Sequence, residues 1–281
     1  MTLPRVLYGQ PAAEHVKTRA REILAGCKTQ AELHVIMVGH NPSSASYIQA
    51  KQRAAHELGM GFSLHAFPET ISKEALQDAI DGLNADPKVS GILLQLPLPH
   101  AQDANALLEA ISPSKDVDGF HPINVGRLWT GQEGLFPCTA VGIVEMCHFY
   151  GISLSKKEVV IVGRSNIVGK PLAGLMLREG ATVTITHSQT RDLKAHTQQA
   201  DIVVVAVGQP NLLTSDMVQN GVTVIDVGIN RNEDQRLVGD VDPDVYPKTA
   251  AYTPVPKGVG PLTVAHLMLN TALAHQKKEK P

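Results

Sequence analysis

The sequence predicts an α/β protein of two lobes, each built on a parallel sheet between helical layers. Apolar, strand-length runs alternate with helix-periodic segments along almost the whole chain. The run Val159-Val-Ile-Val162 passes straight into a glycine-containing turn and then a helix, the element order of a Rossmann-like domain. Between Ser112 and Cys138 the alternation gives way to Pro, Gly, Asp and Asn, which marks loops between lobes. With 281 residues, about two domains of ordinary size are expected, each able to bury a core.

Taken in order, Ala12 to Ala25 has apolar residues at helical spacing, and Leu33-His-Val-Ile-Met-Val38 reads as a buried strand ending at Gly39. Ala45 to Leu58 reads as a helix stopped by Gly59 and Gly61, and Phe62 to Phe67 alternates as a strand. Ser72 is placed to cap an amphipathic helix that carries Leu76, Ile80 and Leu83 and stops near Asn84 and Pro87. Gly91 to Pro97 is a third strand, with the polar Gln95 near its end. Thr139 to Tyr150 reads as a helix leading to the strand at Val159. The strands Ala181 to Thr186, Asp201 to Val207 and Thr223 to Val227 follow, with Asp201 and Asp226 flanking apolar runs. Pro254 to Pro261 interrupts again, and Thr263 to Gln276 is a closing helix.

Composition narrows the function class. A 43% hydrophobic, 19% charged chain of net charge -2 is that of a soluble globular protein without the basic excess that nucleic acid demands. Its longest apolar runs are strand-length, well short of the ~18 residues of a membrane span. Met1 to Gln10 lacks the basic and apolar regions of a secretory leader, so cytoplasm is the expected location. Cys27, Cys138 and Cys147 make no metal-ligand spacing, and no His-x-x-x-His pair lies on a helical face, so neither a disulfide nor a metal site is expected. Cys138, in Phe136-Pro-Cys-Thr139, is read as a buried structural thiol rather than a nucleophile because no base is marked for it.

The turn Gly163-Arg-Ser-Asn-Ile-Val-Gly169 departs from G-x-G-x-x-G, its Gly169 falling one place late. Arg164 within it can fork onto a phosphate. The next strand ends in His187-Ser188-Gln189-Thr190, with no Asp or Glu where an NAD-binding domain would carry one for the ribose 2′-hydroxyl. A cation, a hydroxyl at Ser188 and no competing acid favour NADP over NAD. The same residues can also be read as a solvated loop Arg and a turn Ser. Gly208 and Gly228 follow later strands at the carboxyl edge, where ligands lie in such folds.

In the first half, Tyr47 and Lys51 are four apart on one helical face, so a ring and an amine can address one substrate, although a half-buried Tyr beside a solvated Lys has the same pattern. Gln95 must be satisfied or poised at a site, since an unpaired buried amide costs about 1–3 kcal/mol. Asp116-Val-Asp-Gly119 places two carboxylates in one turn, without the ligand spacing of a calcium loop.

In register along nearly the whole chain, Pro42-Ser-Ser-Ala-Ser-Tyr47 with Lys51, Gly91 to Leu98, Lys115 to Pro122 with Asn124 to Leu128, Pro137-Cys-Thr139, Gly163 to Gly169, and Lys257 to Thr263 resemble the bifunctional methylenetetrahydrofolate dehydrogenase/cyclohydrolase family. The resemblance implies a folate-binding lobe from residues 1–138 completed by a C-terminal helix over 262–281, an NADP-binding Rossmann-like lobe over 139–261, and an active-site cleft between them. It implies NADP-dependent oxidation of 5,10-methylenetetrahydrofolate and hydrolysis of the product to 10-formyltetrahydrofolate, within one-carbon interconversion and purine biosynthesis, by a homodimer. Lys51 would be the central catalytic group, provided burial or a neighbouring charge lowers its pKa. Tyr47 would stack on the folate, Gln95 would hold Lys51, and Asp118 would bond the pterin's donor edge. Leu94, Leu96, Pro256, Gly258, Val259, Gly260 and Pro261 would complete the substrate site. Gly163, Arg164, Ser165, Ile167, Val168, Gly169, His187, Ser188, Gly208 and Ile229 would bind the cofactor. Family members commonly have Gly where this chain has Lys257 and Pro where it has Ala140; Lys257 is expected to be solvated and free of strain, with reach of its amine to the ligand's glutamate tail or a cofactor phosphate as the alternative. A monofunctional dehydrogenase, an NADP dehydrogenase for another small substrate and a dinucleotide-sensing regulator are the competing readings.

Overall fold

A computed structural model describes residues 3–39, 42–99 and 104–280, with the side chains of 42–45 outside the description. The elements, in chain order, are β1 (Arg5–Val6), α1 (Gly9–Ala25), β2 (Glu32–Val38), α2 (Pro42–Glu57), β3 (Gly61–Phe67), α3 (Lys73–Ala85), β4 (Val89–Leu94), α4 (Ala104–Ala110), α5 (Pro122–Trp129) and α6 (Cys138–Phe149). Then come β5 (Glu158–Val162), α7 (Gly169–Arg178), β6 (Thr182–Thr186), α8 (Leu193–Thr197), β7 (Ile202–Val205), β8 (Thr223–Asp226), β9 (Asn230–Arg231), β10 (Leu237–Val238), β11 (Ala251–Tyr252) and α9 (Gly260–Glu279).

The chain divides into two compact units. One holds Glu14–Cys138 and the chain from Val264 onward. Its sheet has the order β3-β2-β4, all parallel, and β4 is buried at every position. Ile36, Val38, Ile92 and Leu94 pack there with Leu76 and Ile80 of α3 and Leu107 of α4. The cap anticipated for α3 is present: the Ser72 side chain accepts from the Ala75 N–H, satisfying a donor that would otherwise be orphaned and contributing about 1 kcal/mol.

The other unit holds Thr139–Thr263 and the first residues up to Ala13. Its six-stranded parallel sheet runs β1-β11-β8-β7-β5-β6. Strands β7 and β8 are buried throughout, and the uninterrupted Ile-Val-Val-Val run of β7 is what a parallel strand covered on both faces requires. Two expectations are corrected here. The first residues do not belong with the folate-binding half, because Arg5 and Val6 pair with Ala251 and Tyr252 at the edge of the larger sheet. The stretch from Ser112 to Cys138 is not all loop: α5 forms within it, started by His121, whose ring accepts from the Ile123 N–H, and by Pro122 in the first turn.

Candidate active site

Helix α2 carries Tyr47, which is exposed, and one turn later Lys51, which is half-buried. The Lys51 Nζ donates to Gln95 Oε1 at 3.0 Å. Gln95 lies just past β4 and is itself fixed: its Nε2 donates to the Leu96 carbonyl at 2.8 Å and its backbone N–H to the Ile36 carbonyl at 2.8 Å. Burial pushes the Lys51 pKa down, while Asp118 and Cys138 pull it back up. The amine is therefore easier to deprotonate than a surface lysine.

The two carboxylates of Asp116-Val-Asp-Gly119 have separate jobs. Asp116 is buried and staples the loop. Its Oδ1 accepts from the Gly119 and Phe120 N–H groups at 3.1 and 3.2 Å, and its Oδ2 accepts from the His121 N–H and Asn124 Nδ2, both at 2.9 Å. Gly119 needs its φ of 77° and its missing Cβ, because a Cβ there would strike the Phe136 carbonyl carbon. Asp118 receives no hydrogen bond from the described residues. Burial raises its pKa to about 6, partly opposed by Lys51 and reinforced by Asp116. On α9, Asn270 donates through Nδ2 to the Val117 and Phe136 carbonyls at 2.9 and 3.0 Å, which ties the residue before Asp118 to the segment leading into α6. The sequence reading missed Asp116, Asn124 and Asn270 as organisers; the available signal was a buried amide in the apolar run Leu267 to Leu273. Cys138 donates its thiol to the Val117 carbonyl, and burial pushes its pKa well up, so it is a structural thiol.

In the other unit, β5 leads through the expected turn to α7. Gly163 has φ 128°, and a Cβ on it would meet the Ala206 carbonyl; one on Gly169 would meet the Gly163 carbonyl. The turn thus makes the close backbone approach of a dinucleotide-binding loop despite the shifted spacing. Ser165 has a role the spacing did not disclose: its Oγ accepts from the Val168 and Gly169 N–H groups at 3.1 and 3.3 Å, capping a helix whose N-cap residue, Val168, makes no side-chain cap. Arg164 and Ile167 are exposed, and Arg164 makes a 3.4 Å bond to Gln189 Oε1. Past β6, His187 is braced by its N–H to Thr190 Oγ1, and Ser188 is exposed. Gly208, at φ 69°, and Ile229 follow β7 and β8 at the same carboxyl edge. A guanidinium and a hydroxyl with no acid from 187 to 190 fit a dinucleotide bearing a 2′-phosphate.

Leu94, expected at the substrate, is a core residue at 1% exposure, while Leu96 is partly buried against the same core. In the loop before α9, Pro256 is exposed, Gly258 and Val259 are buried, and Gly260 and Pro261 are half-buried. Lys257 is solvated but not strain-free. Its φ is 83°, which costs a non-glycine residue about 1 kcal/mol, and its carbonyl accepts from the Gly9 N–H at 2.8 Å.

One grouping invisible in sequence spacing is Cys27, His275 and Glu279, with ligand-type atoms within 4.8 Å of one another. These atoms are already engaged. His275 Nε2 donates to the Thr29 carbonyl at 2.9 Å, its Nδ1 is bonded to Ser90 Oγ, and Glu279 accepts from the Lys28 and Thr29 N–H groups. The cluster fastens the end of α9 to the turn before β2.

Residues 7–118 match the family model described as tetrahydrofolate dehydrogenase/cyclohydrolase, catalytic domain, and residues 137–279 match that of the same family's NAD(P)-binding domain. The chain belongs to the tetrahydrofolate dehydrogenase/cyclohydrolase family. Among its relatives in that family, the bifunctional protein FolD of Thermus thermophilus is 53% identical over 95% of this chain and 94% of its own length. The crystal structure of the bifunctional FolD methylenetetrahydrofolate dehydrogenase/cyclohydrolase from Campylobacter jejuni superposes with a TM-score of 0.94 at 45% identity, covering 97% of this chain and 98% of the other. The Trypanosoma brucei enzyme, solved in complex with NADP cofactor and an inhibitor, gives a TM-score of 0.91 at 36% identity, covering 99% and 98%. The family's catalytic region contains Lys51, Gln95 and Asp118, and its NAD(P)-binding region contains the Gly163 to Gly169 turn. Among the described residues no helix is long and apolar enough to cross a membrane.

Proposed function

We propose that this chain oxidises 5,10-methylenetetrahydrofolate to the 5,10-methenyl cation with NADP and hydrolyses that product to 10-formyltetrahydrofolate, using Lys51 as the proton carrier. The observation that carries the mechanism is the Lys51–Gln95 hydrogen bond, with Asp118 as the neighbouring charge. Gln95 fixes the amine's direction, and burial, by lowering its pKa, favours the unprotonated form that can take the proton of the attacking water. The ammonium so formed gives that proton to N5 as the carbon–N5 bond opens, and the hydroxyl proton leaves as the formyl carbonyl forms, releasing one proton overall. Tyr47 offers a flat face to the folate rings, and ionised Asp118, acceptor-only, suits the 2-amino and ring N–H donors of the pterin. Leu96, Pro256, Gly258, Val259, Gly260 and Pro261 complete the substrate contacts.

Arg164 and Ser188 hold the cofactor's 2′-phosphate; Gly163, Ile167, Val168, Gly169, His187, Gly208 and Ile229 line the rest of its path, and Ser165 shapes the turn. NADP, when bound, supplies the hydride acceptor. We further assign the protein to the cytoplasm as a homodimer that feeds purine biosynthesis. In support of the dimer, β3 is a sheet edge that exposes Leu64.

The test is an absorbance assay for methenyltetrahydrofolate with NADP and NAD in parallel, followed through decay. The expected record is an NADP-dependent rise and then a fall as the formyl product forms. A rise without enzyme-accelerated decay would make the protein a monofunctional dehydrogenase, and no rise would refute the assignment.

A further inference from the structure

Buried at 0% exposure, the Asp240 side chain accepts three hydrogen bonds in the dinucleotide-type unit, and the mechanism leaves it idle. Its Oδ2 accepts from the Val207 and Gly208 N–H groups at 2.8 and 2.9 Å, and its Oδ1 accepts from Asn230 Nδ2 at 2.8 Å. One carboxylate thus ties the loop leaving β7 to the segment leaving β8. Asp226 anchors the clasp in turn. Its Oδ1 accepts from the Gly228 and Asp240 N–H groups at 3.0 and 2.9 Å, and its Oδ2 from the Val241 N–H at 3.1 Å. Gly228 is required beneath the clasp, since a Cβ there would collide with the Asp240 carboxylate.

On the outer side of the fastened backbone lie two exposed apolar side chains, Val207 at 40% and Ile229 at 50%. Both stand at the carboxyl edge of a parallel sheet, where ligands bind in such folds. A carboxylate that locks two loops from below, with aliphatic tips presented above, is the arrangement expected of a surface shaped for a flat ring, because ordering the loops in advance removes the entropic cost of ordering them on binding. We infer that Asp240 is a positioning residue for the cofactor, holding the β7 and β8 exit loops at the spacing that lets Val207 and Ile229 contact one of the dinucleotide's rings. The inference rests on the NADP reading above and adds to it a residue that need not touch the ligand.

Calorimetric binding of NADP, together with steady-state kinetics of both reactions, tests it. For Asp240→Ala we expect the NADP Kd and KM to rise about 10-fold or more, with the rate of methenyltetrahydrofolate hydrolysis, assayed without cofactor, within about two-fold of wild type. Asp240→Asn, which keeps an acceptor for the two N–H groups, should recover most of the loss. Asn230→Ala, which removes a single donor and keeps the decision available if Asp240→Ala does not fold, should raise the NADP Kd about three-fold. An NADP Kd within two-fold of wild type in Asp240→Ala, or in Asn230→Ala where the former is unfolded, overturns the inference. Equal losses in both reactions would also overturn it, since they mark a merely structural role. A wild-type chain that binds NADP without turnover would contradict the proposed activity while the Kd comparison still decides the role of Asp240; one that does not bind NADP refutes both.

Discussion

The Lys51 cluster and the Gly163 to Gly169 turn handle charge in opposite ways. Lys51 and Asp118 are half-buried, and burial is the first cause of both pKa displacements, downward for the amine and upward to about 6 for the acid. The turn leaves its cation, Arg164, exposed and spends its precision on backbone: glycines at Gly163 and Gly169 and the Ser165 cap on two N–H groups. On the proposed reading, the contrast separates a region that changes its protonation state from one that grips a fixed charge. Proton transfer near neutrality requires a perturbed group, whereas phosphate binding requires only a solvent-facing donor of fixed charge.

That contrast can be broken in order of expected effect. Lys51→Met should lower the hydrolytic rate by roughly 10²–10⁴-fold, the usual worth of a positioned acid–base group, in a protein that still binds NADP. Full hydrolysis in that variant would remove Lys51 from the mechanism. Arg164→Ala should leave hydrolysis intact and weaken NADP about 10–100-fold, with NAD much less affected, since a charged hydrogen bond contributes about 1.5–3 kcal/mol. Equal losses for the two dinucleotides would show that Arg164 does not read the 2′-phosphate.

A subtler effect comes from Asp226, whose pKa burial raises to about 6 against the ordinary 3.8. The folded state therefore holds a proton that the unfolded state releases, so this group stabilises the fold increasingly as pH falls from 7 through 6 toward 4, and its ionised form is the costly one. Urea unfolding at pH 7 and pH 5 should show wild type gaining on the order of 1 kcal/mol relative to Asp226→Asn. An unchanged difference would mean that Asp226 titrates normally. Smallest of all, Lys257→Gly should stabilise the chain by up to about 1 kcal/mol by releasing the strain at φ 83°, read as a raised midpoint in the same unfolding assay. A destabilised Lys257→Gly would show that the lysine makes interactions worth more than its strain.

Elements with long apolar signals were legible in the sequence: β2, β5 and β7 stand out because parallel strands are buried on both faces, and α3 because Ser72 caps it. Two-residue strands were not, since β1 and β11 are defined by pairing across the chain, β1 with β11 and β11 with β8, rather than by any local pattern. Helix α5 was hidden by the Pro and Gly content that elsewhere signals loop. At the site, the helical spacing of Tyr47 and Lys51 was readable, but the division between a stapling Asp116 and an open Asp118 depends on hydrogen bonds that spacing cannot encode. Lys257 was misread for a related reason: nothing in the residue type marks that its backbone sits at a φ of 83°.

The central claim is that burial has lowered the proton affinity of one amine beside Gln95. Carbon-13 NMR titration of ε-labelled lysines, with the Lys51 signal assigned by its loss in Lys51→Met, measures this directly. Lys51 should titrate below the ordinary lysine value of 10.5, and lower still in Asp118→Asn, where the charge that pulls it up is gone. A Lys51 signal that titrates with the surface lysines and does not respond to Asp118→Asn would contradict the account.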